Sequence, residues 1–360
     1  MTRFFLNVVS ALLTLVALAG CDVHQWPEPK GITPEPPMPD LPKMTIPLRL
    51  EFETDFYLWE HFYDPLQGKV EEANPSLTIF PDYPGTSSKY DNVLPSGLIQ
   101  VYVKVYPTSN PSQCVAEQSF TREINGTYDT DFDLELPVYG TYDVVVWSHL
   151  LEDSEASPFY ETANFSQVHI IADNYRGNTD HRDGFRGRIR INAATEIEGS
   201  YVVRMTRPMG KFELVTTDLS EFLDRETKAR GLSTRASAED YRVIISFPMY
   251  YPSSYSALDD RLENATTGVA FSTKMTVTGE SEASLGFEYV LLNNISDGGV
   301  QTRVDVYRLD GTRVAGSSTF TVPMRRDHHV LLRGAFLSME GSGGVGIDPG
   351  FNGDHNITWQ

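Results

Sequence analysis

The chain has 360 residues, with 49 acidic against 29 basic side chains and a formal net charge of −20. That excess excludes recognition of a phosphate backbone and attachment to an anionic surface by charge. With only two cysteines, Cys21 and Cys114, stability must come from a core, and 18 Tyr, 19 Phe and 4 Trp suit a β-rich one.

In chain order, the first segment is a leader. Arg3 precedes an apolar run from Phe4 to Ala19 that closes on Leu18-Ala19-Gly20-Cys21. Small residues directly before a cysteine resemble the lipobox of a bacterial lipoprotein, in which the cysteine is acylated and the chain is cut ahead of it. A spanning helix needs about 20 apolar residues, and this run is shorter and interrupted by Asn7, Ser10 and Thr14. An ordinary secretory signal would leave Cys21 without a role. Residues 1–20 therefore read as a signal peptide and Cys21 as a lipidated N-terminus. The mature chain then has 340 residues and a net charge of −21. Acyl chains contribute about 0.8 kcal/mol per buried methylene, so the membrane is reached through lipid rather than a basic patch. Cys114 then has no partner for a disulfide, and its turn-like setting after Pro111-Ser112-Gln113 gives no sign of reactivity.

Eight prolines follow, at positions 27, 29, 34, 36, 37, 39, 42 and 47. They remove backbone donors and favour extended polyproline geometry, so residues 21–45 read as a stiff spacer.

Beyond the spacer the dominant period is two. Residues 46–52 and 99–106 alternate apolar and polar, and 132–136 do the same. Residues 142–147, Tyr-Asp-Val-Val-Val-Trp, form a more buried strand. Strands are also predicted over 168–172, 187–192, 201–205, 211–215, 241–247, 269–277, 285–292, 302–307, 318–322, 329–336 and 356–359. One helix follows Thr217-Asp218. Leu219, Phe222 and Leu223 form its apolar stripe, acidic residues lie early, Lys228 and Arg230 late, and Gly231 ends it. The fold class is mainly β: two sandwiches, 46–198 and 199–360, with one short helix in the second.

Chemistry is sparse. The glycine-rich stretch 341–346 lacks the lysine and hydroxyl that end a phosphate loop. His328 and His329 are adjacent on a strand and face opposite ways, and Asp180-His181-Arg182-Asp183 lacks the spaced partners of a zinc site. No nucleophile elbow is present. Asp129, Asp131 and Asp133 are weak candidates for calcium, without EF-hand spacing. Tyr250, Tyr251 and Tyr255, bracketed by Pro248 and Pro252, form a candidate platform for a sugar or protein. No catalytic residue and no cofactor are expected, so the chain reads as a non-enzymatic protein.

Four features together carry a resemblance: the lipobox at Cys21, the strand 142–147, Arg207-Pro208-Met209-Gly210-Lys211-Phe212, and the ending Gly346-Ile347-Asp348-Pro349-Gly350-Phe351-Asn352-Gly353-Asp354. They are similar to the fimbrial anchor and accessory subunits of Bacteroidales, the FimB/Mfa2 family. The resemblance implies two tandem transthyretin-like sandwiches, a lipid-anchored and surface-exposed place in the cell outer membrane, and fimbrial subunits as partners. It further implies that stalk subunits polymerise by strand donation and that an anchor accepts a donor strand. The alternative is a surface glycan- or protein-binding lipoprotein with no pilus role.

Overall fold

A computed structural model describes residues 42–72, 89–90, 95–138, 140–193, 199–294 and 298–338. The lipobox at Cys21, nearly all of the proline spacer, the stretch 341–354 and the strand expected over 356–359 lie outside the described residues. The described part is mainly β, with one short α-helix among the described residues.

The first core lies between two sheets. One has β1 (Lys43–Phe52) at its centre, antiparallel to β7 (Thr130–Pro137) and parallel to β12 (Tyr201–Met205). The other is antiparallel, in the order β11 (Gly184–Asn192), β8 (Thr141–Leu151), β5 (Leu98–Pro107), β6 (Ala116–Glu123). The inward positions are those the alternation named: Ile46, Leu48 and Leu50 meet Val101, Val103 and Val105, with Leu134, Leu136, Val144 and Val146 alongside.

The second core is larger and richer in aromatic rings. A seven-stranded sheet runs β18 (Thr276–Val277), β19 (Ala283–Leu291), β13 (Met209–Thr216), β23 (His328–Gly334), β2 (Phe56–Asp64), β3 (Lys69–Glu72), with β4 (Lys89–Tyr90) also on β2. A five-stranded sheet contains β17 (Val269–Thr273), β14 (Tyr241–Phe247), β20 (Gly298–Arg308), β21 (Arg313–Gly316) and β22 (Phe320–Met324). A small sheet of β16 (Arg261–Thr266), β15 (Tyr251–Ser256), β10 (Val168–Ile170) and β9 (Tyr160–Glu161) adds rings to the same core.

Strands cross over in both directions, and besides β3, β4, β9 and β10 two of them do so by parallel pairing. β2 comes early in the chain yet pairs in parallel with β23 in the second sheet system, Trp59 beside Val330. β12 comes after residue 200 yet pairs in parallel with β1 in the first, Leu50 beside Val203. β8 serves both cores. Val144 and Val146 point into the first, while Val145 and Trp147 belong to the second, where the Trp147 ring lies 5.5 Å from Tyr160 and 6.0 Å from Tyr255. A strand covered on both faces must be apolar almost throughout, which is why residues 142–147 break the alternation.

Helix α1 (Leu219–Arg230) presses Leu219, Phe222 and Leu223 into the second core, with Phe222 edge-on to Tyr241 at 4.8 Å. Gly231 closes it in the left-handed conformation, φ +61°, donating its N–H to the carbonyls of Thr227 and Lys228. Asp218 stands at the start but does not cap the helix. Its carboxylate accepts instead from the Leu337 amide and from the hydroxyls of Thr216 and Ser338.

Several elements differ from the sequence reading. β1 begins at Lys43, inside the predicted spacer, and Pro47 lies within it opposite Asp133. The proline is tolerated because β12 joins the other side of β1 only from Leu48 onward, so no ladder bond is lost there. The stretch 269–277 is two strands, β17 and β18, rather than one. β2 and β15 were not expected as strands. β2 reads Phe-Tyr-Leu-Trp-Glu-His-Phe-Tyr-Asp, with no clean period, and β15 carries a proline.

Candidate functional site

The motif at 207–212 is built into the junction between the cores. Arg207 is fully buried. Its Nε donates to both carboxylate oxygens of Asp183 at 2.9 Å. Its terminal nitrogens donate to three consecutive carbonyls of the β1–β2 connection: Glu53 at 3.2 Å, Thr54 at 2.6 Å and Asp55 at 3.0 Å. The guanidinium lies between the rings of Phe56 and Phe185, with centroids 4.0 and 4.7 Å away. A planar five-donor fork can serve this many acceptors; a lysine ammonium cannot. Gly210 is needed for close approach, since a Cβ there would stand 2.4 Å from the Arg325 carbonyl oxygen.

The tetrad Asp180-His181-Arg182-Asp183 forms a short 3-10 turn against this junction. Arg182 donates to Glu288 at 2.5 Å, and Glu288 also accepts from the Tyr175 hydroxyl at 2.9 Å and the Tyr289 amide at 2.8 Å. Asp180 accepts from Lys211 and from the Tyr289 hydroxyl, each at 2.7 Å. His181 Nε2 lies 2.9 Å from the Ser96 carbonyl. Burial pushes the carboxyl groups of Asp183 and Glu288 up, against the pull of their arginines. The pairs Arg182–Glu288 and Arg207–Asp183 are enclosed, whereas Asp180 stands partly exposed at the margin. The cluster orders the junction.

The aromatic platform is corrected. Tyr251 and Tyr255 are fully buried, the first donating its hydroxyl to the Tyr289 carbonyl at 3.1 Å and the second to Asp260. Only Tyr250 is exposed, at 72%. In β15 the alternate positions 251 and 255 share the inward face, so the three rings cannot form one surface.

Asp129, Asp131 and Asp133 do not converge either. Asp131 accepts from Arg49 at 3.3 Å, and Asp129 accepts from the Phe52 amide at 2.9 Å while standing 3.6 Å from Arg49. Asp133 is exposed on β7. Among the described residues, no three His, Cys, Asp or Glu side chains stand close enough to hold a metal ion. A shallow cleft of about 280 Å³ lies between Glu51, Phe52, Glu53, Asp129 and Arg204. Cys114 is exposed, its thiol donating to the Ala116 carbonyl at 3.2 Å.

The feature that sequence could not supply is a pair of neighbouring strand edges that are unpaired among the described residues. β6 and β7 end their respective sheets on the same side of the first core, Phe120 meeting Phe132 at 5.1 Å, and among the described residues neither pairs further. On the opposite side, an antiparallel bridge between Arg186 and Thr206 ties the sheets together. β7 spans eight residues and turns Asp131, Asp133 and Glu135 outward, the kind of charged row that keeps an unpaired edge from indiscriminate pairing.

These features define a mainly β protein with two cores joined by a buried ionic cluster and with two neighbouring strand edges that no described strand covers. The chain belongs to DUF6562, a family of unknown function, whose model matches residues 70–360. No curated protein matches it. Among solved structures it is similar to the fimbrial anchor protein Mfa2 from Porphyromonas gingivalis, at 10% identity over 76% of this chain and 82% of that one, TM-score 0.36. It is also similar to a fimbrial assembly protein from Parabacteroides distasonis, at 10% identity over 82% and 92%, TM-score 0.38. A DUF1812 protein from Bacteroides thetaiotaomicron matches at 13% identity over 76% and 80%, TM-score 0.39. At such identities and scores these structures carry no role over to this chain.

Proposed function

We propose that this chain is a non-enzymatic lipoprotein of the bacterial outer surface, acylated at Cys21 and held off the membrane by its proline spacer. In this reading it is an anchor or accessory subunit of a fimbrial assembly and accepts an extended segment of another subunit as an added strand. The cores derive, in the same reading, from two transthyretin-like sandwiches, 46–198 and 199–360, with β2, β3, β4, β9 and β10 of the first half contributing to the second core and β12 of the second half to the first. The observation that carries the proposal is the juxtaposed open edges of β6 and β7. An added strand gains main-chain hydrogen bonds there, and alternate side chains reach the seam between the sheets. The glycan-platform alternative loses two of its three rings to the core.

Two experiments test this. Cys21→Ala should abolish incorporation of labelled fatty acid and release the protein from the membrane; an unchanged membrane-bound, labelled form would remove the anchor. A photo-cross-linker at position 133 should capture a terminal segment of a fimbrial subunit in intact cells, and one at position 250 should not. Equal capture at both, or purified fimbriae free of the protein, would remove strand acceptance.

A further inference from the structure

We infer that the two cores act as one mechanical and folding unit, and that Arg207 is the clasp that couples them. The chain crosses between the cores several times, and two of these crossings lie side by side: residues 53–55, from β1 to β2, and 206–208, from β12 to β13. Arg207 sits on the second crossing and holds all three carbonyls of the first. The remaining hydrogen-bond partner of its side chain, Asp183, precedes β11 of the first sheet system, and the neighbouring Arg182 is paired with Glu288 of the second. A displacement of one core relative to the other must therefore break bonds on both crossings together. The aromatic walls from Phe56 and Phe185 exclude water that could replace those bonds.

Adjacent domains in a chain ordinarily move relative to one another because their interface is modest and polar. Here strand exchange and the shared strand β8 add backbone pairing and apolar contact to the clasp. A pull applied to the first core passes into the second without a hinge. That property suits a chain that bears load between a membrane and a partner, but it follows from the junction alone.

Hydrogen exchange with mass spectrometry on the mature full-length protein, alongside calorimetry, tests the inference. In the wild type, amides of β1 and β12 and those of β14 and β19 should lose protection together within one calorimetric transition. Two separate transitions in the wild type would overturn the coupling outright. Arg207→Lys keeps a buried charge for Asp183 but cannot reach three carbonyls. It should accelerate exchange in β1 and β12 at least tenfold more than in β14 and β19. Equal acceleration in both cores would show that Arg207 only stabilises and does not couple. Should Arg207→Lys fail to fold, Asp183→Asn weakens the charged anchor of Arg207 and leaves its three carbonyl acceptors in place; an unchanged exchange pattern, or equal acceleration in both cores, in that variant would also overturn the clasp.

Discussion

The two cores solve the same problem in different ways. The first is mainly aliphatic and antiparallel apart from β12, with Val, Leu and Ile at every second position. The second gathers Phe, Tyr and Trp from strands, a helix and loops, and its main sheet contains three neighbouring parallel strands, β13, β23 and β2. Alternation suffices where one face of a sheet is wet. It fails where strands are buried on both faces, or where large rings fill irregular space beside loops. The boundary between these regimes is β8, one face in each core.

Val103→Asp breaks the comparison most severely. Val103 is fully buried in the first core, and an unpaired carboxylate there should cost several kcal/mol. A thermal melt near that of the wild type would show that the strand is turned the other way. Trp147→Ala, from the opposite face of β8, should cost about 3–5 kcal/mol. Because Trp147 stands between the systems, chemical denaturation should still show a single transition, shifted as a whole.

A pH series sharpens the contrast further. His149, on the Trp147 face of β8, is fully buried beside Tyr102 and Tyr160, and neither ring nitrogen has a hydrogen-bond partner. Burial lowers its pKa from 6.5 to about 3. The unfolded chain therefore binds this proton more readily than the folded one. The stability held at this site is complete above about pH 6.5 and is lost as pH falls toward about 3. His149→Phe should flatten that acid limb in urea midpoints measured between pH 7 and pH 4. An unchanged slope would assign the acid sensitivity elsewhere. The smallest effect belongs to Gly231→Ala, about 1 kcal/mol from the left-handed φ, visible as a modest drop in the urea midpoint. A null result there would mean that the helix end relaxes.

Much of the first core was legible because β1, β5 and β7 are amphipathic with period two, and Val101 to Val105 announce their inward face. Helix α1 was legible from Leu219, Phe222, Leu223 and Gly231. β2 was not, because both its faces carry rings. β15 was hidden behind Pro252, and Tyr251 and Tyr255 look identical in sequence whether they bind a ligand or fill a core. Arg207 could be noticed as part of a motif, but nothing local says that its acceptors lie more than 150 positions back, at Glu53 to Asp55.

By itself the sequence determined the local terms: the acidic charge, the strands whose alternation marks an inward face, and the helix with its glycine stop. These depend on neighbours within a few residues. Tertiary structure alone decided which strands exchange between cores, that Asp183 and Glu288 are buried partners of arginines, that two of three tyrosines turn inward, and that β6 and β7 end their sheets among the described residues. Those outcomes depend on pairing across long loops, where the free energy of burial is set by residues far apart in the chain.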